Sequence, residues 1–266
     1  MMKLGVNSVL FSGYDFETAV KHIALAGYDG VEISAIKGMC EHLVLDQWQE
    51  QASDLKQVIS DYGLELLSME VASLDEDRLK KAFKAGAQIG IPVINVGPGG
   101  KTGVEEDLQH SISHLRKMSD IADSYGVSLC VKAHVGASIY NTPTTLRAME
   151  EIKSAGFGID MDPSHIYRSG ENPEEALPKV LERVKHIHIR DCIERAGSPG
   201  TPANQACGRG NINLFAYCKA MVDGGYSGPV NLEVIGAGNL SLPEISIIAA
   251  ESYGYLNACL KKLGAR

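Results

Sequence analysis

Four short segments of the chain end in side chains that can ligate a metal, move a proton or hold an anion. "GVSLCVKAHVG" brings Lys132 and His134, "FGIDMDPSH" brings Asp160, Asp162 and His165, "VKHIHIRD" brings His188, Arg190 and Asp191, and "VNLEVIG" brings Glu233. Each group stands at the end of a short apolar run. Burying such groups costs several kcal/mol unless something compensates. A divalent cation compensates Asp, His and Glu well, and carboxylate oxygens with one imidazole suit Mn²⁺, Mg²⁺, Co²⁺ or Zn²⁺. The odd member is Lys132, a cation at the mouth of a carboxylate-and-histidine pocket.

The elements that must position these groups alternate in type. Strands are predicted at Lys3 to Asn7, Gly30 to Ile33, Leu64 to Met69, Val93 to Val96, Val127 to Val131, Phe157 to Asp160, Lys185 to Ile189 and Val230 to Val234. Helical patterns separate them: Thr18 to Ala26 behind an Asp15 cap, Asp46 to Tyr62, Asp75 to Ile89, Val104 to Tyr125, Thr144 to Ser154, Pro173 to Leu181, Asn213 to Met221 and Pro243 to Leu263. Glycine marks several helix-to-strand junctions, as in "AGYDGVEI" and "IGIPVINV", where it fits the left-handed position that ends a helix. Strands joined through helices in one sense are parallel. An open doubly wound sheet would be supported by a Gly-rich phosphate loop after its first strand, and none follows here. The expectation is a (β/α)8 TIM barrel, α/β in class, forming a single domain over residues 1–266. Its chemistry then belongs at the C-terminal ends of the strands, where the four groups lie. Within "VKHIHIRD", His186, His188 and Arg190 share one face. The polar stretch 192 to 210 reads as a mobile lid.

Composition narrows the function. The chain has 266 residues, 44% hydrophobic and 22% charged, with a net charge of −8. That is a globular composition, long enough to bury a core without disulfides. The acidic balance argues against nucleic acid as a partner. No signal-peptide pattern and no membrane-spanning apolar run is present. The six cysteines show no metal-site pairing and read as reduced thiols, which suits a cytoplasmic protein.

The pieces "FGIDMDPSHIYRSGENP", "VKHIHIRD", "GRGNIN" and "VNLEVIG" resemble the xylose isomerase-like family of sugar (phosphate) isomerases and epimerases, over nearly the whole chain. The resemblance implies one divalent metal held by Glu, Asp, His and Glu. By motif, the last three are Asp162, His188 and Glu233. The first Glu should precede a histidine in E-x-H, and that position holds Lys132, before Ala133 and His134. The resemblance also implies substrate contacts from His134, His165, Arg190 and Arg209, a small carbohydrate substrate, and a homo-oligomer such as a dimer or tetramer.

In that family two glutamates flank the substrate; one removes a proton next to a carbonyl and the other returns it. Lys132 leaves three readings. The metal stays on Asp162, His188 and Glu233, and Lys132 is a neutral base or a carboxylate anchor, its pKa lowered beside the metal. The ammonium replaces the metal. Or Lys132 forms a Schiff base. A plainer alternative turns Lys132 to solvent at the rim. The leading expectation is a metal-dependent sugar isomerase or epimerase, with Lys132 and Glu233 catalytic. A decarboxylase or lyase acting on an oxidised sugar acid is the alternative, and a non-catalytic sugar-binding descendant is the second. For Arg209 in "GRGN" the plain reading is a turn before a helix capped by Asn211.

Overall fold

The computed structural model describes residues 2–266. Among the described residues nine strands form: β1 Leu4–Asn7, β2 Gly30–Ile36, β3 Cys40–Glu41, β4 Glu65–Glu70, β5 Val93–Val96, β6 Ser128–Lys132, β7 Phe157–Met161, β8 Val184–Ile189 and β9 Val230–Leu232. Apart from β3, which pairs antiparallel with the far end of β2, neighbouring strands run parallel in chain order. β1 pairs with both β2 and β9, so the sheet closes into an eight-stranded barrel without edges. The described residues also form ten α-helices: α1 Phe16–Ala26, α2 Trp48–Asp61, α3 Glu76–Ile89, α4 Glu105–Ser124, α5 Thr142–Glu151, α6 Pro163–Arg168, α7 Pro173–Val180, α8 Pro202–Gln205, α9 Leu214–Asp223 and α10 Leu242–Lys262.

The predicted strands lie within a few residues of the observed ones. α1 and α3 start where Asp15 and Asp75 accept from the N–H groups of Thr18 and Arg78. Both end at a glycine with positive φ, Gly27 at 97° and Gly90 at 95°, where a side chain would be strained. β3, α6 and α8 are absent from the predicted elements. α6 and α8 are single turns started by a proline, below the length at which periodicity is legible.

Two sets of side chains leave each strand because the pleat has a period of two. The outward set, including Leu4, Val6, Val31, Ile33, Met69, Leu129, Val131 and Ile187, is buried under the helices and forms the apolar core. The inward set is polar: Asn7, Glu32, Ser68, Glu70, Asn95, Lys132, Asp160, His186, His188 and Asn231 are all buried. Small residues make room for this column at the bottom. A Cβ at Gly5 would lie 2.0 Å from Asn231 Oδ1, and one at Gly158 would lie 2.6 Å from Cys130 Sγ. Register shifts at Val31/Glu32 and Ile159/Asp160 aim Glu32 and Asp160.

Stretch 192 to 210, expected as a mobile lid, is tied to the barrel at its two ends, while residues 194–198 are exposed. Asp191 Oδ1 accepts from Cys192 N and Ile212 N, and its Oδ2 accepts from Gly208 N. Buried Gln205 donates to the carbonyls of Gly200 and Ile235 and accepts from Ile235 N. No described helix is long and apolar enough to cross a membrane.

Candidate active site

The inward column forms one connected network. At its base, Asn231 Nδ2 donates to Ser68 Oγ at 2.8 Å and lies 2.7 Å from His186 Nε2. His186 Nδ1 lies 2.9 Å from Asp160 Oδ1, and His188 Nδ1 lies 2.6 Å from Asp160 Oδ2. His188 Nε2 bonds to Glu32, which also accepts from Asn7 and Asn95. Burial disfavours charge on His188, but Asp160 and Glu32 outweigh it and raise its pKa well above the usual histidine value. Both ring nitrogens face carboxylates, Nδ1 that of Asp160 and Nε2 that of Glu32.

Lys132 stands one layer higher. The rim alternative fails, because its side chain is only 5% exposed and its ammonium points inward. Lys132 Nζ donates to Glu233 Oε1 at 2.7 Å and to Glu70 Oε1 at 3.2 Å, with Asp160 Oδ2 at 3.9 Å. The expected fall in its pKa is tied to a neighbouring metal ion; the carboxylates around Lys132 act in the opposite direction. Burial works against the charge, yet Glu233, Glu70 and Asp160 raise the pKa above the ordinary lysine value. This geometry suits an ammonium that donates to both glutamates.

Arg190 is the second buried cation. Nε donates to Ser164 Oγ at 2.8 Å, and Nη2 lies 3.0 Å from Asp162 Oδ2 and 3.2 Å from Glu233 Oε2. Those two oxygens are charge-paired without a directed hydrogen bond, and both are otherwise unpartnered. His134 and His165 stack with ring centroids 4.0 Å apart. Burial pulls both below the usual histidine pKa, with Lys132 adding on His134 and Arg190 on His165, so both rings are neutral. His134 donates from Nδ1 to the Val135 carbonyl, which leaves Nε2 as an acceptor. His165 Nδ1 accepts from Val135 N, and its Nε2 lies 2.9 Å from Arg190 Nη2.

The two glutamates beside Lys132 are pushed apart. Burial and the neighbouring Glu233 raise Glu70 to about 8. Burial also raises Glu233, but Lys132, His188 and Arg190 hold it well below the usual carboxylate range. Both line a cavity of about 240 Å³ at the C-terminal end of the barrel, with Lys132, His134, His165, Arg168, Arg190 and Pro199 among the other walls. A larger hollow near Met2, Tyr226 and Arg266 contains none of these groups.

Three donor groups could hold a metal ion: Glu32 with His186 and His188, Glu70 with His188 and Glu233, and Asp162 with His165 and Glu233. Asp162, His188 and Glu233, expected as one ligand set, are divided between the last two, with Glu233 in both. The charge balance fits a dication. Five buried carboxylates, Glu32, Glu70, Asp160, Asp162 and Glu233, face three cations, Lys132, Arg190 and His188, and Glu70 relieves the excess by keeping a proton. The unpartnered oxygens of Asp162 and Glu233 agree. Of the two upper groups, Glu70, His188 and Glu233 has the better donors. His188 has its Nδ1 oriented by Asp160, the arrangement of a metal-ligating histidine, and binding at Nε2 would release the proton that Nε2 shares with Glu32. His165 Nε2 lies against the Arg190 guanidinium, 2.9 Å away, which disfavours a second cation there.

Arg209 is not brought to the cavity. It forms a two-pronged ion pair with Glu251 on α10, about 39% exposed, because its loop turns outward before α9. α9 is capped by Asn213, not Asn211. Glu70 and Arg168 are cavity groups to which sequence reasoning assigned no role. Glu70 was visible as a strand-end acid, whereas Arg168 had no signal beyond its place in "HIYRSG".

A closed parallel barrel with a cation–carboxylate cluster at its strand ends defines the class. The chain belongs to the xylose isomerase-like TIM barrel family, whose model matches residues 20–258. It is similar to inosose dehydratase of Geobacillus thermodenitrificans, 25% identical over 199 residues, a match covering 66% of this chain and 63% of that protein. Its fold is like that of D-psicose 3-epimerase crystallised in the presence of D-fructose, with TM-score 0.79, 14% identity and coverage of 97% and 99%. IolI protein with a bound zinc atom gives TM-score 0.79, 20% identity and coverage of 97% and 99%.

Proposed function

We propose that the chain is an enzyme that removes the proton next to the carbonyl of a small polyhydroxylated compound and eliminates water from the neighbouring carbon. The observation that carries this reading is the Lys132 ammonium bonded to Glu70 and Glu233 on the cavity wall. The three groups divide the work. Glu233, ionised, takes the α-proton. The electron pair moves to the carbonyl oxygen, where Lys132 supplies a positively charged donor to the enolate. That oxygen takes Glu233's place on the ammonium, which raises the affinity of Glu233 for the proton. The enolate then forms the carbon–carbon double bond and expels the β-hydroxyl, which leaves as water with the proton of Glu70. Environments that push two carboxyls apart mark the acid and the base. A divalent ion, held by Glu70, His188 and Glu233, would supply Lewis-acid polarisation of substrate oxygens when bound. The similarity to an inosose dehydratase supports elimination.

Epimerisation shares the first step and is the second reading. Glu70 and Glu233 both contact Lys132, and one could return the proton the other removed, as the fold likeness to D-psicose 3-epimerase would suit. Incubation with an inosose, D-fructose and D-fructuronate in D₂O, followed by proton NMR and ultraviolet absorbance, separates the two. Elimination gives an unsaturated or deoxy product. Epimerisation gives a diastereomer carrying deuterium at the α-carbon. No exchange and no product with any of them would sink both readings.

A further inference from the structure

The cavity holds a third cation, Arg168, at the end of α6, half-buried and placed between the histidines and the loop that carries Pro199. The other two cations are matched: Lys132 by Glu70 and Glu233, Arg190 by Asp162 and Glu233. Arg168 has no such partner. Nε donates to the Ser164 carbonyl at 3.2 Å, Nη1 donates to the Gly197 carbonyl at 3.0 Å, and Nη2 lies 3.1 Å from His165 Nδ1. Among the described residues no carboxylate pairs with it. These contacts use three of the roughly five N–H donors of a guanidinium and leave about two, one on each terminal nitrogen. They also fix its direction, since the head is tied to its own helix on one side and to the loop on the other. A guanidinium that is preoriented, partly desolvated and short of a counter-ion in a cavity wall is a built receptor for a planar anion. The wall as a whole agrees: its lining carries three cations, Lys132, Arg168 and Arg190, against two acids, Glu70 and Glu233, and of the three cations only Arg168 lacks a carboxylate partner.

We infer that Arg168 binds a carboxylate of the substrate, and that the enzyme acts on a keto sugar acid or a similar polyhydroxylated keto acid rather than a neutral sugar. Two free N–H groups match the two oxygens of a carboxylate. The Arg168 guanidinium is one imidazole ring from that of Arg190, through His165. A cavity of about 240 Å³ lies below the usual range for drug-sized ligands and suits one small monomeric substrate. An anion on Arg168 would also draw on the group that holds Gly197, so binding and loop position are linked.

The inference deepens the proposed function and rests on it for the word substrate, but binding tests it separately. Calorimetric titration of the full chain with D-fructose, D-fructuronate and D-fructose 6-phosphate compares one skeleton with a neutral, a carboxylate and a phosphate end. The wild type should bind D-fructuronate roughly ten- to a hundredfold more tightly than D-fructose, the worth of a charged hydrogen-bonded pair. In Arg168→Gln that ratio should collapse towards one, with Arg168→Lys in between and circular dichroism confirming the fold of both. A wild type that does not prefer the carboxylate, or a ratio that survives Arg168→Gln, overturns the inference. Preference for the phosphate over the carboxylate overturns the assignment of the anion. If the preference collapses as stated but nothing turns over, the inference stands and the elimination chemistry fails.

Discussion

Replacing Lys132 with methionine tests the centre of the argument. The ammonium is 2.7 Å from Glu233, 3.2 Å from Glu70 and 3.9 Å from Asp160, with a side chain only 5% exposed. Removing one partner of a buried ion pair costs about 3–5 kcal/mol, because the carboxylates left behind keep their desolvation without compensation. For a chain of this size that corresponds to roughly 6–20 °C in Tm. The cost must depend on pH through Glu70. Its folded pKa, about 8, lies above its ordinary 4.5. Between those values the folded chain binds a proton that the unfolded chain does not. Wild-type stability therefore falls, through this group, as pH rises from about 4.5 to about 8, and levels off above. Lys132 is one of the influences that lower the Glu70 pKa. Without it the fall continues past pH 8, so Lys132→Met loses less stability at pH 6 than at pH 9. Urea unfolding of chelator-treated protein at the two pH values, followed by circular dichroism and read as midpoints at constant m, measures both losses. Turnover should drop by about 10²–10³, as for removal of a donor to a developing oxyanion. Equal stability of variant and wild type at pH 9, or an equal loss at both pH values, would refute the buried ammonium–carboxylate cluster.

Glu233→Gln should abolish deuterium exchange at the α-carbon and lower kcat by about 10³, near the middle of the range for general acid–base groups; exchange at the wild-type rate would assign the base elsewhere. Arg209→Ala should leave kcat and KM within experimental error and change stability by no more than ~1 kcal/mol, because its partner is Glu251 on the surface. A marked rise in KM would return Arg209 to the substrate. Protein purified without chelator should carry a divalent ion by elemental analysis, chelation should lower Tm, and His188→Ala should lose the ion. Metal-free protein with no thermal response to Mn²⁺ would refute Glu70, His188 and Glu233 as a donor set.

The periodic features of the chain were legible without coordinates. Strand–helix alternation, the caps at Asp15 and Asp75 and the glycines at 27 and 90 act over a few residues, so local physics specifies them. Closure of the barrel follows from parallel strands of similar length, and Lys132, His134, Asp162, His165, His188, Arg190 and Glu233 all lie at strand ends as the alternation requires. Partner choice was not legible. That His188 is held by Asp160 and Glu32 depends on register shifts in two strand pairs far apart in the chain. The protonation of Lys132 depends on Glu70, 62 residues away, and Glu233, 101 residues away. Arg209 pairs with α10, and Arg168 reaches the cavity only because a one-turn helix ends there. Residue types set by themselves which chemistry this chain could perform. Only the closed barrel decided which charges meet, because an electrostatic pairing depends on distance and burial, and neither is a property of the linear order.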